Sequence, residues 1–325
     1  MRNKYTQMKV TQYFEKAGDR TLVSFEVLPP MKGGSMKAIF DTLDPLMEFK
    51  PPFIDVTYHR EEYVYTRKDT GYYEKTAYRK RPGTVGICAA IVHRYGVDAV
   101  PHLICGGFTV EDTENALIDL NFLNINNVLA LRGDARLFEG RFIPESNGHH
   151  YALDLVKQIV QMNQGKYLDS NIHNGEKTDF CIGIAGYPEK HFEAPNLALD
   201  LAATKAKVDA GADYIVTQMF FDNQKYFDYV KKCREMGINV PIVPGIKPLT
   251  KLYQLNSIPR HFYIDLPMDL VNAIQDAKTA EARRQVGIEW CINQSKELKD
   301  FGVPCLHYYT MGDAGTIREI AEAVF

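Results

Sequence analysis

The sequence predicts a closed (β/α)₈ barrel, with residues 1–325 forming a single domain. Eight short apolar runs alternate with helical patterns along the chain, and no low-complexity linker separates them. This alternation predicts a parallel sheet with right-handed crossovers, and eight such units over about 300 residues fit a barrel. A doubly wound open sheet is the alternative fold, but no Gly-x-Gly-x-x-Gly sequence follows the first strand.

The eight predicted strands are apolar runs bounded by turn signals, at 21–28, 53–58, 99–104, 128–131, 180–185, 214–219, 240–246 and 305–309. Helical patterns occupy 35–49, 84–95, 109–123, 151–162, 196–210 and 223–236, and two or three helices are expected within 250–300. Thr109 is placed to cap the start of one helix, and Gly96 to end another. An amphipathic lead-in helix is expected over residues 1–20.

Residues 60–82 form an insertion in which tyrosines alternate with lysines and arginines. Basic and aromatic residues in alternation can bind nucleic acid, but they more often form a surface loop or an oligomer contact. We expect a long loop here that could act as a lid.

Composition narrows the protein class. Apolar residues make up 45% of the chain and the formal net charge is −3, so no overall basic footprint for nucleic acid is present. No apolar segment reaches the ~20 residues needed to span a bilayer, and the N-terminus lacks the apolar core of a signal peptide. The six cysteines are scattered, which favours buried thiols in a reducing, cytoplasmic compartment.

The first predicted strand carries one carboxylate, Glu26, within an apolar run that ends at Pro29 and Pro30. A buried charge is costly unless it is paired, hydrogen-bonded or protonated. Glu26 is therefore either a carboxylate at the solvent end of the strand, paired with a Lys or Arg, or an acid whose pKa is raised by apolar neighbours. The second state would let it donate a proton near neutral pH.

Polar residues gather at the carboxyl ends of the strands, where barrel enzymes place their chemistry. The ends carry Glu26, Thr57-Tyr58-His59, His102, Arg132-Gly133-Asp134, Tyr187-Pro188-Glu189-Lys190-His191, Thr217-Gln218, Lys247 and His307-Tyr308-Tyr309. No complete metal-ligand set, Walker loop or nucleophile elbow accompanies them. The remaining carboxylates, aromatics and polar groups are suited to a flat ligand, which predicts a cofactor enzyme.

The strand-end motifs resemble those of the flavin-dependent methylenetetrahydrofolate reductases. They read SFEVLPP (24–30), DVTYH (55–59), PHL (101–103), ALRGD (130–134), GYPEKHFEA (186–194), ADYIVTQMFFD (212–222), VPGIKP (243–248) and HYYT (307–310). The resemblance, which runs from about 21 to 315, implies a (β/α)₈ barrel with FAD at its C-terminal mouth. It also implies hydride transfer from NADH or NADPH through the flavin to 5,10-methylenetetrahydrofolate, which yields 5-methyltetrahydrofolate.

The resemblance assigns three residues to the reaction. Glu26 matches the general acid that helps to open the imidazolidine ring, and Asp134 matches an aspartate between flavin and pterin. A negative charge near the pyrimidine end of the flavin would favour hydride donation. Gln218 matches a glutamine that contacts nicotinamide and pterin in turn. Arg283 lies where a substrate-contacting arginine sits, in a stretch that aligns less securely.

Further matches are FAD-contacting positions, namely Thr57, Tyr58, His102, Arg132, Gly133, Asp134, Tyr151, Ala152, Tyr187, His191, Ala194, Asp200 and Lys207. The family's FAD-phosphate segment usually has Asn and Arg where Ala203 and Ala206 stand, which shifts phosphate anchoring toward Lys205 and Lys207. An aromatic that stacks on substrate in some members aligns near Ile258. A regulatory C-terminal domain, which eukaryotic members have, is not expected here, and the resemblance is to the bacterial type.

The expected partners are methylenetetrahydrofolate and NAD(P)H, in a ping-pong mechanism, with a homo-oligomer and neither nucleic acid nor membrane. Two alternative functions stay open at this point. The first is a flavin-free pterin-binding barrel of the transferase kind. The second is a non-catalytic subunit that keeps the barrel for partner binding, although the presence of Glu26, Asp134 and Gln218 together argues against it.

Overall fold

A computed structural model describes residues 7–136 and 139–325 of the chain. The strands, numbered in chain order, are β1 Leu22–Val27, β2 Phe53–Val56, β3 Glu62–Arg67, β4 Tyr73–Tyr78, β5 Asp98–Ile104, β6 Asn127–Leu131, β7 Cys181–Gly186, β8 Tyr214–Thr217, β9 Ile242–Val243, β10 Gly245–Ile246 and β11 Cys305–Tyr309. The α-helices are α1 Val10–Ala17, α2 Met36–Leu43, α3 Thr84–Tyr95, α4 Val110–Phe122, α5 Ala152–Asn163, α6 Leu197–Asp209, α7 Asn223–Glu235, α8 Gln254–Phe262, α9 Met268–Asp276, α10 Ala280–Asp300 and α11 Ala314–Val324.

Nine of the described strand segments form one parallel sheet, in the order β10-β11-β1-β2-β5-β6-β7-β8-β9. The two end segments flank Pro244 and together occupy one strand position, because β9 pairs with β8 while β10 pairs with β11. Pro244 has no N–H to donate, which interrupts the ladder at that point. Its carbonyl still accepts a hydrogen bond from the His307 backbone N–H at 3.1 Å. The sheet therefore closes into the predicted (β/α)₈ barrel, and the open-sheet alternative is wrong.

The two faces of each strand have different neighbours. On β1, Val23, Phe25 and Val27 pack with residues of the surrounding helices in the main apolar core. Because side chains alternate along a strand, Ser24 and Glu26 point into the barrel. The barrel interior thus receives polar side chains from strands that also have a fully apolar outer face.

Helix α1 closes the amino end of the barrel. Phe14 makes edge-on ring contacts with Phe53 and Tyr214, at centroid distances of 6.2 and 6.4 Å. The Asn127 side chain accepts a hydrogen bond from the Val10 N–H and donates one to the Met8 carbonyl. This helix lies within the predicted lead-in segment 1–20, of which residues 1–6 are outside the described part of the chain. With its amino end filled, the barrel presents its polar interior at the carboxyl end.

The prediction of a loop over 60–82 is wrong, because β3 and β4 form an antiparallel hairpin in this segment. The register pairs Glu62 with Tyr78 and Arg67 with Tyr73. Cross-strand contacts support it, since the Lys75 ammonium lies 3.5 Å from the centre of the Tyr63 ring. Tyr63 and Tyr65 share one face of β3, but the contrast between a buried and an exposed face that marks most strands is missing, because most of the hairpin is exposed.

Several element boundaries differ from the prediction, and the strand expected over 53–58, for example, ends at Val56. Two further boundaries differ as well. The helix expected over 35–49 is α2 followed by a 3₁₀ segment, Asp44–Phe49, with Pro45 near the start of that segment. The strand expected over 214–219 ends at Thr217. In the second case, the Gln218 N–H still donates to the Gly186 carbonyl at 2.8 Å. The chain therefore stays beside β7 for one residue beyond the strand.

The structure bears on two expectations from composition, the absence of a membrane-spanning segment and the burial of the cysteines. None of the helices in the described ranges is long and apolar enough to cross a membrane. All six cysteines are buried and free of disulfides, as expected for small buried thiols.

Replacing Gly245 with alanine is expected to destabilise the fold by about 3 kcal/mol. An added Cβ would lie 2.3 Å from the Thr217 carbonyl oxygen and 2.4 Å from the Tyr309 hydroxyl, where the barrel closes. Gly86→Ala in α3 is the matched control, because no atom lies within 4 Å of its Cβ position, and it should stabilise the helix by about 1 kcal/mol. Urea unfolding of both variants measures the difference. Equal stabilities would show that the closure is not tightly packed.

Candidate active site

Glu26 enters the barrel interior from β1, close to the carboxyl-end mouth. Its carbonyl accepts hydrogen bonds from the Thr310 backbone N–H at 3.2 Å and from the Thr310 Oγ1 hydroxyl at 2.7 Å. The outward neighbours Phe25 and Val27 are buried in the core between sheet and helices. These contacts fix the backbone from which the carboxyl group projects.

The Glu26 side chain is buried, with only 9% of the residue exposed. Its Oε2 atom lies 3.6 Å from Nε2 of His102. Burial raises the pKa of Glu26 to about 7, while the charge of His102 opposes the shift, that of Asp55 reinforces it and that of Lys247 opposes it. A solvent-exposed carboxylate paired with Lys or Arg is therefore the wrong alternative, and the structure agrees with a protonated acid near neutral pH.

Sequence reasoning missed Asp55 and did not single out His307. Both are fully buried in the barrel interior. Asp55 lies between the two imidazoles, with Oδ2 3.5 Å from Nε2 of His102 and Oδ1 4.0 Å from Nδ1 of His307. The signal was available, because Asp55 interrupts an apolar strand in the same way as Glu26. Asp55 was named only as the first residue of the DVTYH motif, and no role was assigned to it.

Thr57 and Tyr58 follow β2 at the mouth. The Thr57 backbone N–H donates to the Val27 carbonyl at 3.1 Å, which extends the β1–β2 pairing by one residue. The Tyr58 hydroxyl accepts a hydrogen bond from Arg79 Nη2 at 2.6 Å, and its ring meets Phe108 edge-on at 5.0 Å. Arg79 follows β4, so Tyr58 connects the hairpin to the mouth of the barrel.

The loop directly after β6 begins with Arg132, Gly133 and Asp134. Arg132 forms an ion pair with Glu193 and lies 5.0 Å from the centre of the Phe142 ring. Gly133 has φ +82°, a conformation that favours glycine. Asp134 is exposed, and within the described ranges no hydrogen bond or ion pair joins it to Glu26. The structure thus brings these three residues to the mouth but leaves Asp134 apart from the buried acid.

Tyr187, His191 and Asp200 form a connected group after β7. The rings of Tyr187 and His191 meet edge-on at 4.7 Å. The His191 backbone N–H donates to Asp200 Oδ2 at 3.0 Å, which ties the loop to α6. Burial raises the pKa of Tyr187, and the charges of Asp134 and Asp200 add to the shift. The charge of Asp134 therefore reaches Tyr187.

Lys207 and Ala194 lie beside that group. The Lys207 ammonium donates to the Ala185 carbonyl at 3.2 Å. Burial lowers its pKa to about 8, and the charge of Asp200 partly offsets this. The Ala194 carbonyl accepts a hydrogen bond from Lys190 Nζ at 2.8 Å, so the loop that contains Ala194 is held by a side chain of its own.

Tyr151 and Ala152 begin α5 at the edge of a second feature, a cavity of about 490 Å³. Tyr151 is the N-cap residue and is 64% exposed. The cavity is lined by Arg132, Arg141, Phe142, Ile143, Pro144, His150, Tyr151 and Glu193. Arg141 and Phe142 were not predicted as site residues, since the segment carries no strand-end motif.

Gln218 follows the end of β8, and Arg283 belongs to α10. The Gln218 Oε1 atom accepts the Met219 backbone N–H at 2.9 Å. Arg283 lies in the first turn of α10 and its Nε is buried without a hydrogen-bond partner among the described residues. Four residues later, Gly287 brings α10 against the loop after β10, because a Cβ there would lie 2.1 Å from the Leu249 carbonyl oxygen. Arg283 therefore lies in the first turn of a helix that is packed on this loop.

The structure gives the burial and contacts of the positions that depart from the family pattern. Ala203 is exposed and Ala206 is half-buried. Lys205 forms an ion pair with Asp209, so it is already engaged on the surface of α6. Ile258 is buried in an apolar cluster with Met219 and Phe221, which removes it from the open mouth. In the described part of the chain, no group of three or more His, Cys, Asp or Glu side chains could hold a metal ion.

Comparisons with known proteins bear on this geometry. A sequence model of the family described as methylenetetrahydrofolate reductase matches residues 9–324. Methylenetetrahydrofolate reductase (NADH) 1 of Arabidopsis thaliana is 33% identical over 316 residues, which cover 94% of this chain and 48% of that protein. The probable NADPH enzyme of Caenorhabditis elegans is 30% identical, covering 93% and 42%. The chain thus spans about half the length of these eukaryotic relatives.

A bacterial relative matches over most of its length. The 5,10-methylenetetrahydrofolate reductase of Escherichia coli is 31% identical over 295 residues, covering 90% of this chain and 86% of that protein. Among solved structures, a Clostridium thermocellum protein described as binding two copies of 5-methyl-5,6,7,8-tetrahydrofolic acid superposes with a TM-score of 0.57. It covers 97% of this chain and 98% of its own at 12% identity, a likeness of fold alone.

Proposed function

Because the chain belongs to the methylenetetrahydrofolate reductase family, we propose that it reduces 5,10-methylenetetrahydrofolate to 5-methyltetrahydrofolate with NADH or NADPH and FAD. The observation that carries this proposal is the buried Glu26 carboxyl at the mouth of the barrel, with a pKa of about 7. An acid that keeps its proton near neutral pH can protonate a leaving amine, whereas an ionised carboxylate cannot.

Glu26 is the general acid in this proposal. Opening the imidazolidine ring of the substrate breaks a C–N bond, and the nitrogen needs a proton as the iminium forms at the other nitrogen. Glu26 supplies that proton from a buried position 3.6 Å from His102. The exposed Asp134 carboxylate adds negative charge on the Tyr187 side of the mouth.

The residues present fit a flavin dinucleotide. The 490 Å³ cavity combines the guanidinium groups of Arg141 and of Arg132, which is paired with Glu193 in the same lining, with the exposed ring of Tyr151. Guanidinium groups suit a pyrophosphate, and an aromatic face suits a flat ring. The buried ammonium of Lys207 adds a cation beside Asp200. Arg132, Tyr151, Tyr187, His191, Asp200 and Lys207 are the residues that we propose hold FAD, together with Thr57, Tyr58, His102, Gly133, Asp134, Ala152 and Ala194 at the same mouth.

The chemistry that bound FAD supplies is hydride carriage between the nicotinamide and the folate. Gln218 contacts both substrates in turn at one face of the site in this proposal, and Arg283 offers its unpaired Nε to the folate. Alternate use of one face gives ping-pong kinetics. The names of the relatives include both nicotinamides, which supports either donor. We also propose a homo-oligomeric, cytoplasmic protein.

An absorption spectrum tests the proposed function directly. The purified protein, incubated with FAD and desalted, is expected to be yellow, to bleach with NADH or NADPH, and to regain its colour when methylenetetrahydrofolate is added. Protein that takes up no FAD would instead support the flavin-free transferase alternative. Flavin that is reduced but never reoxidised by the folate would support a subunit without this activity. Stopped-flow traces with each nicotinamide identify the donor.

A further inference from the structure

The barrel interior beneath Glu26 contains a cluster of ionisable groups that the proposed reaction does not explain. Nε2 of His102 lies 3.6 Å from Glu26 Oε2 and 3.5 Å from Asp55 Oδ2, so one imidazole nitrogen faces two carboxyl groups. Both Asp55 oxygens are buried without a hydrogen-bond partner in the described residues, as is Nε2 of His102. Asp55 needs a compensating charge, because a buried carboxylate without one is costly.

His307, on the other side of Asp55, does not supply that charge. Its Nδ1 lies 2.8 Å from the Ser24 hydroxyl, which itself lies 3.3 Å from Cys305 Sγ. Burial lowers the pKa of His307, although the charge of Asp55 opposes the shift. His102 behaves differently, since burial lowers its pKa but the interactions with Asp55 and Glu26 outweigh burial and raise it. The cation in the cluster is therefore His102.

Resting on the function proposed above, we propose that Asp55 is a positioning residue for Glu26: its carboxylate pairs with the protonated His102 and so leaves the second proton on Glu26. Two carboxylates around one imidazolium would leave a net negative charge in the barrel, which is unfavourable in a buried site. A second proton removes that charge. We assign it to Glu26, because Asp55 lies 3.5 Å from the His102 cation and also 4.0 Å from the neutral, dipolar ring of His307, whereas Glu26 faces His102 alone of the two imidazoles.

The other groups that face Glu26 do not replace Asp55. Lys247 follows β10 and its positive charge favours ionised Glu26. Tyr309 on β11 is half-buried, and desolvation, followed by the charge of Glu26, raises its pKa, so the phenol stays neutral. The positive charges of His102 and Lys247 favour ionised Glu26. Asp55 is thus the group in the described interior whose negative charge opposes them and keeps the proton on Glu26.

Asp55→Asn is the direct test. Without the Asp55 charge, the His102 cation pairs with Glu26 and Glu26 loses its proton. In stopped flow, the rate of flavin reoxidation by methylenetetrahydrofolate falls as pH rises through the apparent pKa of the cluster. We expect Asp55→Asn to move this falling limb of the pH–rate profile to lower pH by at least about one unit. At pH values above the limb, its reoxidation rate is then about tenfold below that of the wild type. Reduction by NADH or NADPH should keep its wild-type pH profile.

Tyr214→Phe is the matched control. Tyr214 is buried beside Asp55, its hydroxyl has no hydrogen-bond partner in the described residues, and the change removes no charge. It should leave the limb where it is. A second variant, His102→Gln, removes the cation and should move the limb up, the opposite direction, so the inference remains testable if Asp55→Asn does not fold.

The outcomes separate this inference from the proposed function. If wild-type flavin is not reoxidised by methylenetetrahydrofolate, the proposed function fails. If wild-type protein turns over but Asp55→Asn leaves the limb unmoved or moves it up, the positioning role of Asp55 is wrong. The same conclusion follows if His102→Gln moves the limb down, or if Tyr214→Phe shifts it as far as Asp55→Asn does.

Discussion

Glu26→Gln is expected to slow flavin reoxidation by methylenetetrahydrofolate by about 10²- to 10⁴-fold, the usual contribution of a general acid. The amide keeps the size of the side chain but has no acidic proton for the leaving nitrogen. Reduction of the flavin by NADH or NADPH should be unchanged, because this half-reaction requires no proton from Glu26. Stopped-flow absorbance of each half-reaction measures the two rates separately.

Glu189→Gln is the matched control for this variant. Glu189 is also a strand-end glutamate, and burial raises its pKa, but its Oε2 accepts the Asp265 backbone N–H rather than facing His102. Both half-reactions should survive in Glu189→Gln. If the two half-reactions fell together in Glu26→Gln, Glu26 would be a residue of flavin binding or folding rather than the acid.

The second large effect concerns stability. The unfolded Glu26 carboxyl loses its proton near pH 4.5 and the folded one near 7, so between these values the folded state binds more protons. The free energy of unfolding therefore falls as pH rises through this window, and the loss is complete above about pH 7. A shift of this size corresponds to about 3 kcal/mol. We expect Glu26→Gln to gain about that much relative to wild type between pH 4.5 and pH 8.

Urea unfolding of both proteins, in the same flavin state at pH 4.5, 6 and 8, measures this difference. Any loss of hydrogen bonds caused by the amide is the same at each pH and cancels in the comparison. A constant difference between the two proteins across the three pH values would mean that Glu26 has an ordinary pKa in the folded state. In that case neither its burial nor its proposed role would be supported.

The sequence predicted the barrel well because eight apolar runs and their crossover helices each leave a local signal. Glu26 was identifiable for the same reason, as a charge inside an apolar strand. Asp55 carried the same local signal, but its importance depends on His102 and His307, which approach it from β5 and β11 through the register of the closed barrel. Such a register is set by tertiary pairing and is not visible in one strand.

The hairpin was missed for a different reason. Its strands have no buried face, so the apolar alternation that marks other strands is absent. Cross-strand pairs such as Lys68 with Glu74 and Lys80 with Glu62 hold it instead. Whether this hairpin closes over the mouth stays a prediction, although Arg79 already links it to Tyr58 at the strand ends.

The protonation state of Glu26 is the central claim, and infrared difference spectroscopy measures it most directly. Subtracting the spectrum of Glu26→Gln from that of the wild type isolates the Glu26 carboxyl, whose protonated C=O stretch disappears on ionisation. This band should be present at pH 6 and should titrate with a midpoint near 7. A band already absent at pH 6, with a midpoint below 5, would contradict it.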